Sequence, residues 1–250
     1  MNGKEQPRQA GPQPSCDRRA VLHWAARLGA ACLAGPLTLA DAQSPLVARP
    51  HGRSLLVDKF GQPFKSAQLA AGEAHIFQYP YQTTPVFLMA LPRAATPVAL
   101  ATGNKQAYQS LPGVGPARNI VAYSAICAHK LMYPTPAISF INIRKGQTGE
   151  PAHVVHCCGD NSRYDPTQGG RVISGPAPQP LAMILLEWNA ASDELHAVGT
   201  LGAEMFQAFF EKYEFRLNLD HGAKALEASA NTTWVQPAEQ YSRQVQTCKA

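Results

Sequence analysis

The stretch Ile120-Val121-Ala122-Tyr123-Ser124-Ala125-Ile126-Cys127-Ala128-His129 decides how this chain is read. Its β-branched and aromatic front half has the composition of a strand, and Cys127-Ala128-His129 follows without a break. A thiol and an imidazole two residues apart, where a strand gives way to a loop, can both reach one shared metal. Further along, His153-Val154-Val155-His156 forms another strand candidate and opens into Cys157-Cys158-Gly159-Asp160-Asn161-Ser162, a second loop rich in sulfur and oxygen donors.

Around these loops the body reads as many short strands. His75-Ile76-Phe77-Gln78-Tyr79, Pro85 to Leu91, Ala137 to Ile143, Arg171-Val172-Ile173-Ser174 and Leu181 to Trp188 carry strand composition between turn residues. The 21 prolines and 19 glycines suit strands joined by turns better than a helical bundle. The segment from Lys145 to Glu150, with Gly146 and Gly149, reads as the tip of a hairpin. Ala203 to Arg216 differs: Phe206, Phe209, Phe210 and Tyr213 recur at three- and four-residue spacing and predict one amphipathic helix. The polar remainder from His221 is expected to lie over the surface or hang free.

At the N-terminus, a polar block to Ser15 precedes Arg18-Arg19, a weakly apolar run from Leu28 to Leu39, and the small-residue site Ala40-Asp41-Ala42. This order resembles a twin-arginine export signal. Arg27 and Pro36 interrupt the apolar run, which falls short of the roughly 20 residues of a spanning helix. Cleavage is therefore favoured, although an uncleaved signal would serve as a membrane anchor. The first 42 residues hold five bases and three acids, which leaves 17 bases against 14 acids in the remainder. So small an excess, without a clustered basic face, does not suggest nucleic acid.

Beyond the export segment stand four cysteines, Cys127, Cys157, Cys158 and Cys248. Count alone suggests disulfides in an exported protein, but their context points to a metal. Cys127-Ala128-His129 with its leading strand, then Ser162-Arg163-Tyr164-Asp165-Pro166, then Gly175-Pro176-Ala177-Pro178-Gln179-Pro180-Leu181, come in the order of the Rieske iron–sulfur family, which the chain resembles from about Leu55 to Trp188. The resemblance implies a mainly β fold, a Rieske-type antiparallel β-sandwich with a small cluster-binding subdomain and one C-terminal helix. It implies a [2Fe–2S] cluster in which each loop gives one cysteine and one histidine. Ser162 and Tyr164 would donate hydrogen bonds to cluster and cysteine sulfur, and the loop with Pro176 and Pro178 would shield the cluster from water.

The chain departs from the family at the second histidine. The family pattern is Cys-x-x-His; counting from Cys157 reaches Asp160, and counting from Cys158 reaches Asn161. The spacing to Tyr164 favours Cys157 as ligand, whereas a family branch with Cys-Cys-x-x-His favours Cys158. Candidate metal ligands are therefore Cys127, His129, Cys157, Cys158, Asp160 and Asn161. An Asp160 carboxylate could replace the imidazole, His156, His153 or Cys248 could fold in, or the cluster is lost. The spare cysteine of the pair has no evident partner except Cys248.

The division expected is an export signal at 1–42, a linker and first edge strand at 43–65, the Rieske domain at 66–202 with cluster loops at 125–135 and 156–180, and helix plus tail at 203–250. The resemblance implies a periplasmic electron carrier, passing single electrons from quinol or a partner protein to a c-type cytochrome, rather than a stand-alone enzyme. A scaffold that has lost its cluster and serves as a binding or assembly subunit is the alternative. A disulfide-stapled β domain, with Cys127 bonded to Cys157 or Cys158, is a third.

Overall fold

The computed structural model describes residues 46–248. The expected export signal and the start of the linker lie outside the described residues. In chain order the strands are β1 (Arg49–Val57), β2 (Ala74–Gln78), β3 (Pro85–Ala90), β4 (Ala99–Ala101), β5 (Ala107–Gln109), β6 (Ile120–Ser124), β7 (Ile138–Ser139) and β8 (Ile141–Lys145). They continue as β9 (His153–Cys157), β10 (Ser162–Asp165), β11 (Arg171–Ser174), β12 (Met183–Asn189), β13 (Glu194–Leu201), β14 (Thr232–Trp234), β15 (Gln236–Pro237) and β16 (Gln244–Val245). One long helix, α1 (Met205–His221), and a single turn, α2 (Ala238–Tyr241), complete the regular structure apart from 3₁₀ turns.

The fold is mainly β, built on a large, mostly antiparallel sheet of eight strands in the order β14-β1-β13-β12-β6-β3-β2-β15. The short segment Thr232 to Pro237 pairs with β1 at its start and with β2 at its end. The two edges of the sheet therefore meet across it, and no long edge is left open to another chain. This corrects two expectations: β1 is an interior strand, and the C-terminal segment is structural. Its polar side chains hid that role, because a closing strand needs only backbone groups on its inner side, and Leu55 N–H to Asn231 O at 2.8 Å and Val235 N–H to Val57 O at 2.8 Å supply them.

Strands β3 and β6 are buried on both faces, as their unbroken apolar sequences require. Because successive side chains alternate, Val86, Leu88, Ile120 and Ala122 join the core inside the closed sheet, with Leu56, Phe77 and Ile184. Phe87, Met89, Val121 and Tyr123 point the other way, into a second core shared with Cys127, Ile141, Val155, Cys157, Tyr164 and Phe209. The second core is where a separate sheet, in the order β11-β10-β9-β8, and helix α1 rest on the large sheet.

Helix α1 starts and ends later than Ala203 to Arg216, but buries the expected face through Phe206 and Phe209. Its aromatic row meets the first loop: Tyr133 makes edge-to-face contacts at 5.0 Å with both Phe209 and Tyr213. Among the described residues no helix is long and apolar enough to cross a membrane.

Candidate metal centre

Strand register places the second loop. In the small sheet Cys157 stands opposite Ile141 on one side and Ser162 on the other, so these three side chains share the face turned to the second core. His156 stands opposite Asn142 and Arg163 and therefore faces away. One residue past the strand, Cys158 is disulfide-bonded to Cys248. Alternation by one residue thus decides which cysteine faces the site: Cys157 does, and Cys158 holds the C-terminal segment, whose Gln244–Val245 pairs in parallel with β7.

The first loop arrives from β6, whose Val121 and Tyr123 belong to the second core together with Ala125 and Cys127 just beyond the strand. It turns back at once: the Cys127 N–H donates to Met132 O at 2.8 Å and the Leu131 N–H donates to Cys127 O at 2.9 Å. Met132 seats its sulfur against Gly159 of the second loop, where an added Cβ would fall 1.8 Å from it. Glycine there lets the two loops close on each other.

Between the loops, Cys127, Cys157 and Asp160 place their donor atoms within 4.8 Å of one another. Both sulfurs are fully buried, and the Asp160 side chain is 2% exposed. One carboxylate oxygen of Asp160 lies 3.2 Å from Cys127 Sγ and 3.0 Å from His129 Nδ1, while the other accepts the Ser162 N–H at 2.9 Å. His129, on the outer side, is exposed. Tyr164 is fully buried; its hydroxyl oxygen accepts the Ala128 N–H at 3.1 Å, which leaves the O–H free to point at Cys127 Sγ, 3.4 Å away.

The titrating groups at this site act on one another. Hydrogen bonding from Cys157, helped by Tyr164 and by the N–H groups of His129 and Lys130, holds the Cys127 thiol below its usual range despite burial. Cys157 is pushed up, first by its bond to Cys127, then by burial and by the charges of Cys127 and Asp160. Burial raises the Asp160 carboxyl, but bonds from the Ser162 N–H, Cys127 and Cys157 outweigh it and leave Asp160 below the ordinary carboxylate range. Cys127 is therefore the first of the two thiols to ionise.

The remaining candidates lie elsewhere. Cys158 is spent on the disulfide, and Asn161 turns its side chain to His156, Oδ1 to Nε2 at 2.6 Å, with its own backbone at φ 62°. Both are corrected as ligands. His153 has its ring against Gly72 and His156 is committed to Asn161, so neither joins the site. Ser162 does: it is fully buried, stands opposite Cys157, and its hydroxyl has no hydrogen-bond partner. Pro176 and Pro178 are exposed on a loop that crosses the second loop so closely at Gly175 that an added Cβ would sit 2.6 Å from Asn161 O. Sequence reading missed Met132 and Gly159 as the contact between loops, and α1 as the wall of the first loop; the spacing of aromatics announced the helix but not where it lands.

No family model matches the chain. Among solved structures, the soluble domain of the Rieske protein II (soxF) from Sulfolobus acidocaldarius is similar at 27% identity, over 60% of this chain and 78% of that one, with a TM-score of 0.44.

Proposed function

We propose that this chain is a Rieske-type electron-transfer protein of the periplasm, exported by a twin-arginine signal, and that Cys127, Cys157, His129 and Asp160 hold its [2Fe–2S] cluster. The observation that carries the reading is the convergence of two buried thiols from two loops with a buried carboxylate, and with an imidazole at their open side. The donor set fits: two soft sulfurs suit one iron, and a nitrogen and a hard oxygen suit the other. Two further groups fit as well. The Ser162 hydroxyl is buried opposite Cys157 without a well-formed hydrogen bond, which an added sulfide would supply, and the Tyr164 hydroxyl lies 3.4 Å from Cys127 sulfur, free to donate to it.

When bound, the cluster would supply a reversible one-electron couple. The chain does the rest. It keeps both sulfurs buried in a core that also holds Phe209, with Met132 and Tyr133 packed against it. It leaves His129 at the surface, where a partner such as a c-type cytochrome or a quinol-oxidising membrane complex would dock. With Asp160 in place of a neutral imidazole the site is more anionic, which favours the oxidised state and lowers the potential.

The test is visible absorption and low-temperature electron paramagnetic resonance of the full chain purified without oxygen, with iron and acid-labile sulfide assayed on the same sample. Two irons and two sulfides per chain with a reduced signal of mixed nitrogen and sulfur ligation sustain the reading. Folded, β-rich, iron-free protein refutes it and leaves the scaffold.

A further inference from the structure

Cys127, Cys157 and Asp160 hold their donor atoms within 4.8 Å of one another, and this spacing has a chemistry of its own. In the family arrangement the two sulfurs serve one iron and the other two ligands the second. Asp160 and Cys127 would then belong to different irons, yet here they touch at 3.2 Å, and the same carboxylate oxygen touches His129 Nδ1 at 3.0 Å. A single tetrahedral ion with bonds of about 2.0 to 2.3 Å sets its ligands roughly 3.3 to 3.8 Å apart. Those hydrogen-bonded contacts are slightly shorter than that range, so the ligands need only part a little to admit an ion, and the group of Cys127, Cys157 and Asp160 is held within 4.8 Å.

Electrostatics point the same way. Two thiols and a carboxylate converge where water does not reach, and His129 is the one basic side chain hydrogen-bonded to them among the described residues. Ionising all three without a cation among them is costly, and a divalent ion placed between them removes that cost. The ligand types agree, because thiolate, imidazole and carboxylate are the ordinary donors of tetrahedral zinc. Met132 against Gly159 keeps the loops at this closed spacing.

We propose that Cys127, Cys157 and Asp160 hold one divalent ion of the zinc class, with His129 turning in from its contact with Asp160 as the fourth donor, and that Asp160 is what makes a single ion competitive with the cluster. Binding releases the thiol protons to solvent and forms four bonds to the metal, with no change of oxidation state. The inference shares its four ligands with the function proposed above and does not require that a cluster is ever assembled.

The experiment uses the full chain, purified without oxygen or reductant and freed of metal by a chelator, so that the Cys158–Cys248 bond stays intact. Cobalt(II) is titrated first and zinc(II) second. The expected result is one cobalt per chain, with the intense visible bands of tetrahedral coordination and thiolate charge-transfer absorption, displaced by one zinc that protects Cys127 and Cys157 from alkylation. His129→Ala, at an exposed position, and Asp160→Ala should each weaken zinc binding by at least about 100-fold with circular dichroism unchanged. Weak octahedral cobalt bands, thiols that remain open to alkylation under zinc, or a folded His129→Ala chain that binds zinc like the original would overturn the proposal. The two readings fail separately: iron with sulfide but no tetrahedral cobalt sinks the single-ion site alone, and tetrahedral cobalt on a chain that never takes up sulfide sinks the electron carrier alone.

Discussion

Replacing Tyr164 by phenylalanine removes one oxygen atom from the centre of the site and little else. The ring is fully buried and phenylalanine fills the same space, so the cost comes from hydrogen bonds rather than from a cavity. Two bonds are lost: the Ala128 N–H at 3.1 Å loses its acceptor, and Cys127 Sγ loses its hydroxyl partner at 3.4 Å. An orphaned buried amide costs about 1 to 3 kcal/mol, and the long contact to sulfur adds little in the metal-free chain. With a urea slope of about 2 kcal/mol per molar, the midpoint should fall by roughly 0.5 to 1.5 M without a change of slope. In the loaded protein the same O–H bond favours the more electron-rich state of the sulfur. A net 1 to 1.4 kcal/mol there corresponds to a potential lower by about 40 to 60 mV for a one-electron couple. Urea titration followed by circular dichroism reads the first quantity and redox titration of the visible spectrum the second. A Tyr164→Phe chain as stable as the original would show that water replaces the hydroxyl at Ala128 and that the site is wetter than the burial of Tyr164 implies.

Three other outcomes follow from particular contacts. Cys158 and Cys248 are 90 residues apart in sequence, for which loop closure gives about 4.6 kcal/mol; the double serine variant should lose roughly 2 to 5 kcal/mol in urea, and a loss below about 1 would mean that the C-terminal strap detaches without cost to the body. Gly159→Ala drives a methyl into Met132 sulfur and should destabilise by about 1 to 3 kcal/mol; adding Met132→Ala should recover part of it, and additive losses would show that the two loops are not held by this contact. Asp160 has a depressed carboxyl in the folded state, so its contribution to stability is present above the unfolded value near 3.9 and is lost as pH falls through the lower folded value. The metal-free Asp160→Asn chain should therefore show a shallower loss of stability below about pH 4 than the original, and parallel acid-unfolding curves would contradict the network drawn around this side chain.

Much of this molecule was legible in the sequence where local chemistry suffices. The apolar runs at Pro85 to Leu91 and Ile120 to Ile126 fixed two strands buried on both faces, and aromatic spacing from Phe206 to Tyr213 fixed the helix face, because side-chain period is a local property of the backbone. Cys127-Ala128-His129 and the Ser162-Arg163-Tyr164 segment marked the two loops for the same reason: each needs only neighbours in sequence. What the sequence left open was decided by pairing between distant segments. Register against β8 and β10 turned Cys157 inward and His156 outward, and the disulfide from Cys158 to Cys248 followed from bringing the chain end back along β7. The closing of the large sheet by Thr232 to Pro237 was invisible in side chains because backbone hydrogen bonds, which every residue carries, do that work. The placing of Asp160 within reach of Cys127 and His129 also waited on the tertiary structure: a count of residues names the position, but only the approach of two loops, permitted at Gly159, sets the distance between donors.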